Sequence, residues 1–207
     1  MVWEIDIRWG VGELTKLLDV MEKAIEGNVS QRYAAYEEYE QTPIEPGTLF
    51  IDAFGKLELL RDAFITAAGH YRLWAYGGFI TTALAWLGDQ LLFITNTPAH
   101  SSYAVFSERL GETVERGREP SLSGMLVEWP LDAGLKDRLE LWVTLRNRFV
   151  HSLGIVADEG ERNGLAGKLG IHFDTDARMQ LMPSDCRALL GDVEAAGVAV
   201  ASQVVDE

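Results

Sequence analysis

Apolar side chains return every three or four positions from residue 13 to about residue 39: Leu14, Leu17, Leu18, Met21, Ala24, Ile25 and Val29, with Tyr33, Tyr36 and Tyr39 extending the row. The pattern predicts one long amphipathic helix, bent near Gly27. Residues 41–47 carry Pro43 and Pro46 and must interrupt it, because proline lacks an amide hydrogen and its ring clashes with the preceding turn. Two helical stretches follow, over residues 49–68 and 70–94, the second stopping at Asn96 and Pro98. Residues 99–116 predict another short helix. Residues 117–132 predict a loop, since Pro120, Gly124 and Pro130 stand among serines.

Residues 134–153 are strongly periodic, and Gly154 stands where a helix-ending glycine is expected. Over residues 155–170 the composition turns to glycine and acid, which predicts an exposed loop. Short alternating runs at 169–174 and 178–182 flank Thr175, Asp176 and Ala177 and predict a small hairpin. A last helix is expected to begin after Pro183, Ser184 and Asp185, where Ser184 or Asp185 can cap it, and to run to about Val204. Without an internal repeat or an evident linker, the expected fold is all-α: one helical-bundle domain over residues 1–207 with a minor β-hairpin before the C-terminal helix.

Composition narrows the classes. Hydrophobic residues make up 47% of the 207 and charged residues 24%, the usage of a folded domain rather than a disordered chain. The net charge of −14 opposes diffuse attraction to nucleic acid or to an anionic membrane, so any phosphate contact must be local. One cysteine, Cys186, permits no intrachain disulfide and fits a reducing compartment, with the cytoplasm as the expected location. The acidic start of the chain does not resemble a signal peptide. Residues 73–88 are free of charge, but they include Gly77, Gly78, Thr81 and Thr82 and fall short of the roughly 20 apolar residues a bilayer requires. A buried helix is expected there, and no membrane partner. Its aromatic residues, Trp74, Tyr76, Phe79, Trp86 and Phe93, are expected in the core.

Common site signatures are missing. The residues three before the histidines are Ala67, Thr97, Arg148 and Leu169, so no Glu-x-x-His pair exists to bridge metals in a bundle. Gly164 to Lys168 imitates a phosphate loop, yet Arg162 stands where its first glycine should be and no hydroxyl residue follows the lysine. His70, His100 and His172 stand alone and are expected to be structural or solvated.

One string stands out, Leu145-Arg-Asn-Arg-Phe-Val-His-Ser152, near the end of the most periodic helix. With Leu139 at 0° and about 100° per residue, Val143, Val150, Trp142 and Leu153 define an apolar stripe, and Arg146 falls inside it at about 340°. A guanidinium on an apolar face is costly unless it is paired or opens on a wet crevice. Asn147 at about 80° and His151 at about 120° flank it, and Arg148 at about 180° points away. Lys136, Arg138, Arg146 and Arg148 against Asp137 and Glu140 also leave a local excess of positive charge in an acidic chain.

Arg146, Asn147 and His151 resemble the Arg-polar-x-x-x-His signature of the HEPN superfamily of helical nucleic-acid-processing domains. The all-α layout, with the string near the end of a long penultimate helix, is similar as well. The resemblance implies a metal-independent endoribonuclease without cofactor, of a kind often found as toxins or antiphage effectors. It also implies RNA as partner, a homodimer whose shared cleft holds two motifs, and an antitoxin protein as a further partner. His151 would move a proton at the ribose 2′-hydroxyl or the leaving oxygen, Arg146 would stabilise the phosphorane, and Asn147 would orient the phosphate or the histidine. Imidazole titrates near neutrality and a planar guanidinium complements phosphate, so the residue types suit those roles. Arg148 is a candidate contact to the RNA backbone.

Two alternatives stay open. Arg146 could satisfy a bundle interior by pairing with Asp89 or Glu58, with His151 only ending the helix. The chain could equally be a noncatalytic helical module for dimerisation or partner binding, because fold does not guarantee activity.

Overall fold

The computed structural model describes residues 2–40, 50–95, 122–129 and 131–202. Six helices and one two-stranded sheet occur among them: α1 (Val2–Glu40), α2 (Phe50–Thr95), α3 (Leu122–Glu128), α4 (Ala133–Ser152), α5 (Glu159–Leu169), β1 (His172–Phe173), β2 (Met179–Gln180) and α6 (Pro183–Ala201). The chain is all-α with a minor hairpin, as the apolar spacing predicts. The break expected at 41–47 and the helix expected at 99–116 lie outside the described residues.

α1 starts earlier than its pattern suggests. Ile7 and Val11 continue the row of Leu14, Leu18, Ile25 and Val29 back toward the N-terminus, and all six are buried. Leu17 and Tyr33, expected in that row, are exposed. The two helices expected over 49–68 and 70–94 are one helix of 46 residues. Gly69 lies inside it; a mid-helix glycine costs about 1 kcal/mol against alanine, which burial of Ala68 and Leu73 on either side offsets. The uncharged stretch of α2 supplies the centre of the bundle through Tyr76, Phe79, Ile80, Ala83, Leu84 and Leu87. No helix among the described residues is long and apolar enough to cross a membrane.

α1, α2 and α6 pack against one another, and α4 lies across α2 and α6. A single cluster of buried side chains draws on all six helices and on Met179 of β2. Trp142 of α4 is completely buried, and its indole N–H donates to Asp192 of α6 at 3.0 Å. Arg138 closes on the same carboxylate with Nε and Nη2 at 3.0 and 2.9 Å. This cluster fixes the rotation of α4 against α6.

Two expected loops contain helices. Residues 122–128 form α3 because Leu126 and then Trp129 turn into the core, a signal masked by Gly124 and the flanking prolines. Residues 159–169 form α5. Asp158 caps it by accepting from the Glu161 N–H at 2.7 Å, acids occupy its first turn and Lys168 its last, as the helix dipole favours. Leu165 alone of this helix is fully buried, so no periodic row marks it in the sequence. The phosphate-loop imitation therefore lies in a helix, with Lys168 paired to Asp137 at 2.8 Å.

The hairpin pairs His172 with Gln180 and Phe173 with Met179, antiparallel. Asp174 holds its turn by accepting from the Asp176 and Arg178 amides, both at 2.9 Å. α6 begins with Pro183, and Asp185, not Ser184, caps it by reaching back to the Met182 N–H at 2.8 Å.

Candidate functional site

α4 is positioned at both ends. Asp132 caps its start, accepting from the Gly134 and Leu135 amides at 2.9 and 3.2 Å. At its end Leu153 and Gly154 both adopt left-handed backbone, one residue earlier than the expected glycine stop, and the Gly154 N–H returns to the Arg148 carbonyl at 3.1 Å. Gly154 suits the left-handed backbone there, at φ 79°, where a Cβ would be strained and would also press on Leu73 at 3.0 Å.

The buried stripe of α4 is Leu135, Leu139, Trp142, Leu145 and Phe149. On the helical wheel this stripe is centred near about 300° and runs from about 240° to about 0°, so Arg146 at about 340° falls inside it, yet it is only half-buried because it borders a pocket. Val150 and Leu153, expected to be buried, are 45% and 55% exposed. The physical reason is α2. Gly77 leaves no Cβ, and Phe149 fills the gap so closely that a Cβ would sit 2.4 Å from its ring. That contact rolls α4 onto Phe149 and turns Val150 outward. Trp74, also expected in the core, is 58% exposed and meets Phe149 edge-on, ring centres 5.4 Å apart.

Arg146 is half-buried, and its Nη1 donates to Asn147 Oδ1 at 3.0 Å. Both line a pocket of about 400 Å³, closed by Thr81, Leu84 and Ala85 of α2, Leu122 and Ser123 of α3, and Val143 of α4. No carboxylate is among its described lining residues. Arg146 forms no ion pair with a described residue: Asp89 is exposed and makes no such contact, and Glu58 lies outside the residues whose side chains are described. The neighbouring arginines differ. Arg138 is held by Asp192, and Arg148 forms a two-pronged pair with Glu161 of α5 at 2.8 and 2.6 Å. The local positive excess read from the sequence is thus partly neutralised, at Arg138 and at Arg148.

His151 is exposed in the last turn of α4, outside the pocket lining. Five residues separate it from Arg146, about 7.5 Å along the helix and about 140° around it. Within one chain the structure thus joins Arg146 with Asn147 and leaves His151 apart.

Other candidates are structural. His70 Nε2 meets the Arg178 guanidinium, tying α2 to the residue before β2. Cys186 is buried and its thiol is pushed up by burial, which keeps it protonated and inert. His172 is exposed on β1, and His100 lies outside the described residues. The pocket walls from α3 had no signal in the sequence, because Leu122 and Ser123 sit in a segment that reads as a loop. Comparison with family models, with curated proteins and with solved structures gives no match.

Proposed function

We propose that the chain is a metal-independent endoribonuclease of the HEPN kind, with Arg146, Asn147 and His151 as its catalytic residues. The observation that carries this reading is the contrast along α4: Arg138 and Arg148 each close on a carboxylate, whereas Arg146 opens on a pocket with none among its described lining residues. A half-buried guanidinium with no carboxylate partner among the described residues favours an anion beside it, and its planar fork matches phosphate.

The ribose 2′-oxygen would attack phosphorus while its proton passes to a base. The 5′-oxygen of the next nucleotide would leave with a proton, giving a 2′,3′-cyclic phosphate and a 5′-hydroxyl. His151 supplies an imidazole to take or give that proton, and Arg146 offsets charge growing on the equatorial oxygens. Arg148 has a structural task with Glu161, so it is assigned none in catalysis.

Because Arg146 and His151 diverge within one chain, the reading includes a two-fold homodimer. The face carrying Trp74, Val150 and Leu153 presents exposed apolar side chains beside the motif and is assigned as its interface. Those side chains equally favour the second reading, a noncatalytic dimerisation or binding module. The purified protein, incubated with mixed RNA in excess chelator, is expected to release fragments ending in cyclic phosphate. Intact RNA after prolonged incubation would reject the ribonuclease and favour the module.

A further inference from the structure

The Arg146 pocket is larger than a phosphate needs. Its volume of about 400 Å³ lies within the roughly 300–1,000 Å³ of small-molecule sites. Its lining is about equally polar and apolar: Leu84 and Ala85 on α2, Leu122 on α3 and Val143 on α4 supply hydrocarbon, and Arg146, Asn147, Thr81 and Ser123 supply polar atoms. The polar side is rich in donors. Asn147 Oδ1 is taken by Arg146, which leaves the Asn147 amide N–H₂ and the outer guanidinium N–H groups to donate. Thr81 already donates its hydroxyl to the Gly77 carbonyl at 2.9 Å and can only accept.

A site that combines a cation, an amide donor and apolar wall residues, with no carboxylate among its described lining residues, fits an anion with an apolar body. A bare inorganic anion would leave the hydrocarbon walls unused, and a neutral apolar ligand would leave Arg146 unanswered. We propose that this pocket between α2, α3 and α4 is a subsite for one nucleotide of the substrate strand, with its phosphate on Arg146 and Asn147 and its base against Ala85, Leu122 and Val143. The inference rests on the ribonuclease reading for the strand, and it adds what that reading lacks: a place where one base next to the reacting phosphate is gripped. Its position also suits the charge of the chain. With −14 overall, affinity must come from enclosed contacts rather than from a diffuse field.

The test is calorimetric titration of the intact protein with the four nucleoside 5′-monophosphates and with inorganic phosphate. At least one nucleotide is expected to bind ten-fold or more tightly than phosphate. Ala85→Trp fills the pocket from an exposed position of α2 and is expected to abolish that advantage and to raise KM for RNA. Ser123→Phe, also at an exposed position, serves where Ala85→Trp fails to fold. Nucleotides binding no better than phosphate, or binding equally to the filled variant, would overturn the subsite, and RNA cleavage by the wild type would then leave the ribonuclease standing. Tight nucleotide binding lost on filling, in a wild type that cuts no RNA, would keep the pocket and reject the ribonuclease.

Discussion

Arg146 donates to the side chain of the residue next to it, Asn147, at 3.0 Å, and to no described carboxylate. Adjacent helical residues point about 100° apart, so the contact bends both side chains toward the pocket between them. It stabilises the arrangement weakly, because both partners reach solvent. Arg146→Ala is therefore expected to shift the unfolding free energy by less than about 1 kcal/mol, in the range of ordinary surface changes. Urea denaturation checks this. A loss of about 3–5 kcal/mol would show instead that a buried carboxylate had been stranded.

Asp192 is the opposite case. It is buried and accepts from Arg138 and from Trp142, whose indole is completely enclosed. Asp192→Ala strands that indole N–H and is expected to cost about 1–3 kcal/mol, the price of an unsatisfied buried group. The solvent-reaching side of Arg138 limits the charge contribution. Asp192→Asn, which keeps the acceptor for Trp142, should recover part of the loss in the same denaturation series.

The adjacent glycines of α2 separate packing from propensity. A methyl at Gly77 would collide with Phe149, while at Gly78 nothing lies within 4 Å. Gly77→Ala is expected to destabilise by about 1–3 kcal/mol through overpacking. Gly78→Ala should stabilise by about 0.5–1 kcal/mol through helix propensity. Thermal melts of the two variants, run side by side, should move in opposite directions.

Glu26 gives a pH signature. A two-pronged hydrogen bond from Arg72, at 3.0 and 2.5 Å, holds its carboxyl below the ordinary glutamate range, against a smaller opposing effect of burial. A lowered folded value means that its contribution is complete above the unfolded value of about 4.3 and fades as pH falls through the folded value. Glu26→Gln should flatten the stability profile below about pH 4.3 relative to wild type. Asp185, raised by burial, contributes with the other sign in both proteins and cancels in the difference. Parallel profiles for the two would contradict the assignment.

The bundle was legible because Leu14, Leu18, Ile25 and Val29, and likewise Leu135, Leu139, Trp142 and Leu145, repeat at helical spacing and are buried. α5 was not, because a helix held by its Asp158 cap, its terminal charges and Leu165 alone leaves no apolar row. The site was half legible. Arg146 and Asn147 share a pocket, but the wheel placed Arg146 too deep. It counted Val150 as core, whereas α4 is turned by Phe149 against Gly77 and by Arg138 and Trp142 on Asp192, tertiary contacts that periodicity in α4 alone does not carry. The α3 wall of the pocket was hidden for a related reason: seven residues with a glycine among them form a helix only because Leu126 and Trp129 find the core.

The central claim is that His151 moves a proton in RNA cleavage at a phosphate held by Arg146. Its most direct test is the single-turnover rate on one defined RNA in excess chelator, for wild type, His151→Ala and Arg146→Lys, each first shown by circular dichroism to keep its helices. The account predicts a fall of about 10²–10⁴ for His151→Ala, the usual share of acid–base catalysis, and a large fall for Arg146→Lys, which keeps the charge but loses the fork. Equal rates for all three folded proteins would contradict it.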